Sequence, residues 1–396
     1  VLLKPILSLS GASAFSVVLG AVTWGYVVSR LTVSAWGQTA SAIGIATMMA
    51  LVLSGGLTNW LVKTGSQHAE GRELAGTILW SAWAVVVGST SVTAALVTTG
   101  VLPVVWLATS ILAGALVVRQ IAVVGLLVTE RFGLVATLSV ADKAVSAVAL
   151  CSVTYLGRAT PSVLLLCQAL GLLIVAGWLT FKRGRSPRIS VRQLGRAWRD
   201  AASFGLPLWA TAVTNLEVPV VARIAGTVEA GYFAVGARFV APFAIIGSSA
   251  ATIILPVSAK GKVELSRATL LRPRTVALFA AGALLVVVAM IATPLLLKIL
   301  GPEYAPATGV VRVYIIAAAL VTLTQPVYSL LQGWGDIRWA GRVLAAASFT
   351  SLAVAAMGAR IAGAQGASLG YCSVNVVLLI LGVFRLRSHP RVDISA

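Results

Sequence analysis

The sequence predicts an all-α polytopic membrane protein of about 12 transmembrane helices, arranged as two parallel six-helix lobes around a central cavity. Three observations carry this. Of 396 residues, 59% are hydrophobic and only 10% charged, against about 25% charged in an average soluble domain. The apolar residues fall in blocks of about 20, the length that crosses a hydrocarbon layer about 30 Å thick. The basic residues gather on alternate sides of those blocks, which is how orientation is encoded in a membrane protein. A water-soluble enzyme of this length is excluded.

Apolar runs between charged or turn-forming residues give the spans in order. The first six are 5–29, ending at Arg30; 39–62, ending before Lys63; 75–98, before Gly100; 103–128, opening on Pro103; 134–157, before Arg158; and 162–181, before Lys182. The second six are 203–224, ending near Arg223; 231–256, closing on Pro256; 276–298, after Arg274; 307–332, before Gly333; 339–360, ending at Arg360; and 366–384, before Arg385. The first is too long, and the run after it too hydrophobic, for a cleaved signal peptide.

With the N-terminus cytoplasmic, 21 of the 30 Lys and Arg residues fall on the inner side, 5 on the outer (Arg30, Arg158, Arg223, Lys298 and Arg360), and 4 within spans. This ratio puts both termini of a multi-pass protein in the cytoplasm. The longest polar stretch then marks the organisation: an N-terminal lobe over 1–182, a basic cytoplasmic linker over 183–200, a C-terminal lobe over 201–385, and a tail over 386–396. Six spans per half means the halves, if related, run in the same direction. A weak repeat agrees. Ala21-Val22-Thr23 with Val27-Val28-Ser29-Arg30 is similar to Ala212-Val213-Thr214 with Val220-Val221-Ala222-Arg223, an offset near half the chain.

The net charge of +19 does not indicate nucleic acid, because it lies in short loops between apolar blocks. Cys151, Cys167 and Cys372 lie inside apolar blocks without metal-ligand spacing, and two histidines, His68 and His389, are too few for a His-based metal or catalytic cluster. No metal or cofactor is expected. The outer loops are short and carry only Glu229 and Glu303 as acids, which excludes a catalytic domain outside the membrane. No phosphate-cradling Gly-x-x-x-x-Gly-Lys-Ser/Thr segment occurs, so the chain does not itself hydrolyse ATP.

Ionisable groups in hydrocarbon cost a few kcal/mol, so they face a bundle interior or a watery cavity. Arg119, Arg238 and Arg312 are the candidate ligand contacts, because a guanidinium is a planar fork of donors that matches phosphate oxygens and stays charged. Lys143 joins them as a cavity-lining cation, unless it and its neighbour Asp142 simply neutralise each other. Arg30 and Arg223 occupy equivalent places at the outer ends of the first and seventh spans, as interface anchors or as a joint outward gate. Glu217, alone in its span, either pairs with Arg238 or Arg223 or couples transport to an ion gradient, a role also open to Asp142. Prolines 207, 219, 242, 256, 294 and 326 each free a carbonyl and let a span bend.

Four segments in order carry a resemblance. They are Trp36-Gly37-Gln38 leading to Ser54-Gly55-Gly56-Leu57; Glu229-Ala230-Gly231-Tyr232-Phe233-Ala234-Val235-Gly236-Ala237-Arg238 with Leu255-Pro256; Leu300-Gly301-Pro302-Glu303-Tyr304-Ala305-Pro306-Ala307; and Gln325-Pro326 through Leu331-Gln332-Gly333-Trp334-Gly335. Nearly the whole chain resembles the polysaccharide-flippase branch of the multidrug/oligosaccharidyl-lipid/polysaccharide exporter superfamily. The resemblance implies a transporter, not an enzyme, that carries a polyprenyl-diphosphate-linked oligosaccharide across the cytoplasmic membrane by alternating access. Its implied partners are that lipid-linked oligosaccharide, membrane lipids, and the polymerase and glycosyltransferases of surface polysaccharide assembly. Glu217 stands where this branch often has an aspartate. Twelve spans rather than fourteen argue against the lipid II flippase branch, and residues 5–29 lack the acid that the drug/cation antiporter branch often carries there.

Overall fold

The computed structural model describes residues 3–54, 70–128, 131–183, 212–238 and 273–388, most of 56–61, and isolated positions between 195 and 251. Among them every regular element is a helix. The N-terminal helices are α1 (Leu3–Val28), α2 (Val33–Ser54), α3 (Glu70–Thr98), α4 (Val104–Val128), α5 (Phe132–Tyr155) and α6 (Pro161–Arg183). There follow α7 (Glu217–Ala225), α8 (227–238), α9 (Pro273–Leu300), a 3₁₀ turn (Pro302–Ala307) and α10 (Thr308–Gly333). The helical run Ile337–Arg387 is broken at Ala362 (φ −142°) and Gly363 (φ 57°) into a hairpin of α11 (337–361) and α12 (364–387). Among the described residues eight helices are long and apolar enough to cross a membrane, the hairpin counted as one. The chain forms two compact units, Val1–Ala222 and Arg223–Ala396. The expected linker over 183–200 lies mostly outside the described residues, as do most of 203–211 and 239–256.

In the first unit, α4 is the central post. It packs against α2, α3, α5 and α6, and 67% of its spanning window is buried, the largest share of any span. Its Val117, Val118, Ile121, Ala122 and Val124 meet Ile78 and Leu79 of α3 and Val175 and Ala176 of α6. Gly114 lets Val86 of α3 come against the α4 backbone, where a Cβ would collide. The indole of Trp83 donates to the Thr180 hydroxyl at 3.1 Å, tying α3 to α6.

In the second unit, α9 is the opposite case. It has the highest mean hydropathy, 2.5, and the least burial, 18% of its window. A helix apolar on every side yet exposed is one that faces lipid. Phe233 of α8 packs edge-on to Tyr314 of α10 (ring centroids 5.2 Å apart), and Tyr314 meets Tyr371 of α12 at 5.3 Å. Gly236 lies against the Tyr314 ring and Gly247 against Thr322 and Gln325.

Three prolines show how freed carbonyls are handled inside hydrocarbon. Pro219 has no N–H for the Asn215 carbonyl four residues earlier; the chain turns at Asn215 and Leu216, and that carbonyl lies against Gly44 of α2, where any Cβ would clash. The expected continuous span 203–224 is therefore interrupted, with α7 starting only at Glu217. Pro326 likewise frees the Thr322 carbonyl, 3.2 Å from where a Gly247 Cβ would stand. Pro294 frees the Met290 carbonyl, which accepts a hydrogen bond from Arg312 Nε at 3.3 Å.

Candidate functional site

Arg119 and Asp142 form the central ionic feature of the first unit. A guanidinium on the most buried helix needs a counter-charge, and α5 supplies it: Arg119 Nε donates to Asp142 Oδ2 at 2.9 Å, and Nη2 lies 2.8 Å from the same oxygen. Nη2 also donates to the Ser139 hydroxyl at 3.0 Å, one turn earlier on α5. The Asp142 side chain is 1% exposed and that of Arg119 23%. Neighbouring helices close around the pair. The Ser16 hydroxyl of α1 donates to the Ser139 carbonyl, and the Ser146 hydroxyl donates to the Gln168 carbonyl of α6. Gly171 of α6 sits so close to the Asp142 carbonyl and Ser146 that no side chain would fit. Asp142 Oδ1 and Gln168 Oε1 are buried without a hydrogen-bond partner among the described residues. The carboxylate thus has one oxygen held by a cation and the other left as a buried acceptor.

Lys143, about 100° around α5 from Asp142, is exposed. The hydrogen-bonded ion partner of Asp142 is Arg119, 23 positions away on another helix, with the Lys143 charge acting beside it. Arg30 is exposed just past the end of α1, its guanidinium 6.0 Å from the Tyr26 ring centroid. Arg223 is exposed in the last turn of α7, and Arg238 is exposed in α8. Arg312 is exposed on α10 apart from its bond to α9. Glu217 is buried in the first turn of α7, where the helix N-terminus favours a negative charge.

The Arg312 contact makes a prediction. Arg312→Met is expected to cost about 1 kcal/mol by stripping the Met290 carbonyl of its donor. In a Pro294→Ala background, where a backbone N–H can return to that carbonyl, the cost falls to near zero. Equal losses of thermal stability in both backgrounds would show the contact to be idle.

Two charged features of the second unit were not singled out by sequence reasoning. Glu229, noted there only as an outer acid, accepts from the Ala364 amide at 2.7 Å and so caps the N-terminus of α12 beside the Gly363 turn. Arg385 grips Asp336 with two donors, at 2.6 and 3.1 Å, and lies 5.6 Å over Trp339, which stacks on Tyr328. The signal for the first was a glycine in a short inter-span turn. The second pairs residues 49 apart and left no local signal.

No family model matches the chain, and no curated protein matches it. Solved structures do. A multidrug resistance MATE family transporter of the MOP superfamily, in an inward-facing conformation, superposes with a TM-score of 0.66 at 14% identity over 97% of each chain. The lipid II flippase MurJ, inward closed, gives a TM-score of 0.72 at 10% identity over 96% of this chain and 88% of its own. A MOP superfamily transporter from Pyrococcus furiosus, described by the reversed polarity of its binding pocket, gives 0.64 at 13% identity over 97% and 95%. The chain therefore has the all-α fold of the MATE and MurJ transporters.

Proposed function

We propose that this protein is a flippase that carries a polyprenyl-diphosphate-linked oligosaccharide across the cytoplasmic membrane for surface polysaccharide assembly, by alternating access. One observation carries the reading: the candidate cations Arg30, Lys143, Arg223, Arg238 and Arg312 are exposed, whereas both candidate acids, Asp142 and Glu217, are buried. A substrate meeting this chain inside the membrane meets positive charge. Guanidinium groups suit the oxygens of a diphosphate through paired, charge-assisted hydrogen bonds. The shared fold supports a transporter of either polarity, since structures with this fold include MATE family drug transporters, a lipid II flippase and a transporter with a reversed pocket. The exposed positive charge supports the anionic substrate.

In this reading Arg119 fixes Asp142 in place, Arg238 and Arg312 of the second unit are the candidate diphosphate contacts, Lys143 of the first unit is a further candidate cation, and Arg30 and Arg223 are the candidates for the outer side. Asp142 and Glu217 are the candidates for ion coupling. Polysaccharide polymerase and glycosyltransferases are the proposed working partners, and the charge bias supports cytoplasmic termini. A strain lacking the protein is expected to accumulate lipid-linked oligosaccharide on the inner leaflet and lose surface polymer. Normal surface polymer, with no redundant transporter present, would overturn the reading.

A second reading, a multidrug/cation antiporter, is favoured by one feature: the bare, buried Oδ1 of Asp142 is an acceptor of the kind a proton or cation uses. Drug efflux that fails in Asp142→Asn while surface polymer stays intact would decide for it.

A further inference from the structure

The exposed stripe of α6 ends in aromatic and basic groups. Leu170, Ile174, Trp178 and Phe181 are all exposed and, at about 100° per residue, fall within about 80° of one another around the helix. The span Pro161–Lys182 has 22 residues, about 33 Å at 1.5 Å per residue, against a hydrocarbon layer of about 30 Å. Its last turn therefore sits where headgroups begin. There Phe181 is 88% exposed, and Lys182 is exposed with its Nζ 4.8 Å from the Trp178 ring centroid. An indole with an ammonium above it suits the boundary between hydrocarbon and phosphate.

A second piece of the same unit comes to this end. Residues 197–201 are helical, and Ala197 and Ala201 are buried in one core cluster with Leu126 of α4, Val135 of α5 and Leu179 of α6. Those three mark the end at which α4 and α6 close and α5 opens. Arg199 lies about 160–200° around the helix from both alanines, so it points away from the core, and it is exposed. Trp198, on the flank, is 38% exposed. A tryptophan and a cation thus recur beside Trp178 and Lys182 at one end of the unit. From Lys182 to Arg199 the sequence holds seven Lys and Arg and no acid, with the single Asp200 after them.

A face that is apolar along a full membrane span is covered by lipid. Cations at its end then select the headgroup, each worth about a five-fold preference for negative charge near the surface. We propose that this end of the first unit binds anionic phospholipid of the adjoining leaflet, with headgroup phosphates on Lys182 and Arg199, the Trp178 and Trp198 rings at the headgroup boundary, and acyl chains along Phe181 and Ile174. This surface requires only the membrane-spanning fold, so its test is independent of whether the chain moves a lipid-linked glycan.

The test uses the full chain, its three native cysteines replaced by alanine, in mixed vesicles of phosphatidylcholine and phosphatidylglycerol. A bimane label on Ile174→Cys reports which lipid lies there, through quenching by acyl chains brominated on one lipid or the other. The control label is on Val92→Cys, exposed near the far end of α3, where the turn to α4 carries no charge. Phosphatidylglycerol is expected to be preferred about ten-fold at position 174 and not at 92. Lys182→Gln with Arg199→Gln should bring the preference at 174 towards one, whereas Lys182→Arg with Arg199→Lys, which keeps the charge, should keep it. Equal quenching by the two lipids at 174, the same preference at 92, no change on removing the two charges, or no quenching at 174 by either lipid would each overturn the proposal.

Discussion

Arg119→Met is expected to destabilise the protein by about 3–5 kcal/mol, because it strips the buried Asp142 carboxylate of its hydrogen-bonded counter-charge. The companion experiment separates charge from packing. Replacing both partners, Arg119→Met with Asp142→Leu, removes the stranded charge and should return the thermal unfolding midpoint to near that of the unaltered protein. The same double variant tests function: it should fold yet transport poorly if Asp142 couples an ion, since its proton-binding oxygen is gone. A single Arg119→Met variant as stable as the original would mean that Asp142 is not held charged by Arg119, and that this part of the account is wrong.

The second large effect is steric. Gly358 and Gly366 face each other across the α11–α12 hairpin with each backbone carbonyl lying where the other's Cβ would go. Membrane helices approach this closely only through small residues, since apolar burial gives no advantage over lipid and packing has to supply the attraction. Gly358→Leu meets backbone rather than a side chain that can swing away. It is expected to cost about 3 kcal/mol, at the upper end of overpacking effects, and to pry the arms apart. Gly20→Leu serves as the control, because a Cβ there meets nothing within 4 Å. Disulfide cross-linking of cysteines placed at 354 and 370 reads the separation directly. Efficient cross-linking in Gly358→Leu would show that the hairpin tolerates the change.

Much of the fold was legible because hydrocarbon imposes simple rules. Span length, the placement of Lys and Arg, and the turn residue Gly100, which has positive φ, mark the helices from sequence alone. Where the chain departs from that reading, a local cause is visible: Pro219 stops a span from running through Asn215, and the α11–α12 turn takes only Ala362 and Gly363, so both helices extend further than the apolar runs suggested. The site was less legible. That ionisable residues in the spans are few and notable follows from their cost in lipid. Which of them face one another does not, because Arg119 and Asp142 sit on different helices 23 positions apart, and Glu229 and Ala364 135 apart. Sequence spacing reports neighbours along one helix; pairing across helices depends on the rotation of each, and here on close approaches such as Gly171 against Asp142.

The most direct test of the central claim is a flipping assay on the purified chain in sealed liposomes holding a fluorescent polyprenyl-diphosphate oligosaccharide in both leaflets. An impermeant enzyme that cleaves the glycan outside should reach nearly all of the label when the protein is present and only about half without it. Substituting Arg238 and Arg312 together by glutamine should return the accessible fraction towards half. Half the label remaining protected with the folded, unaltered protein in every vesicle, with and without an imposed ion gradient, would contradict it.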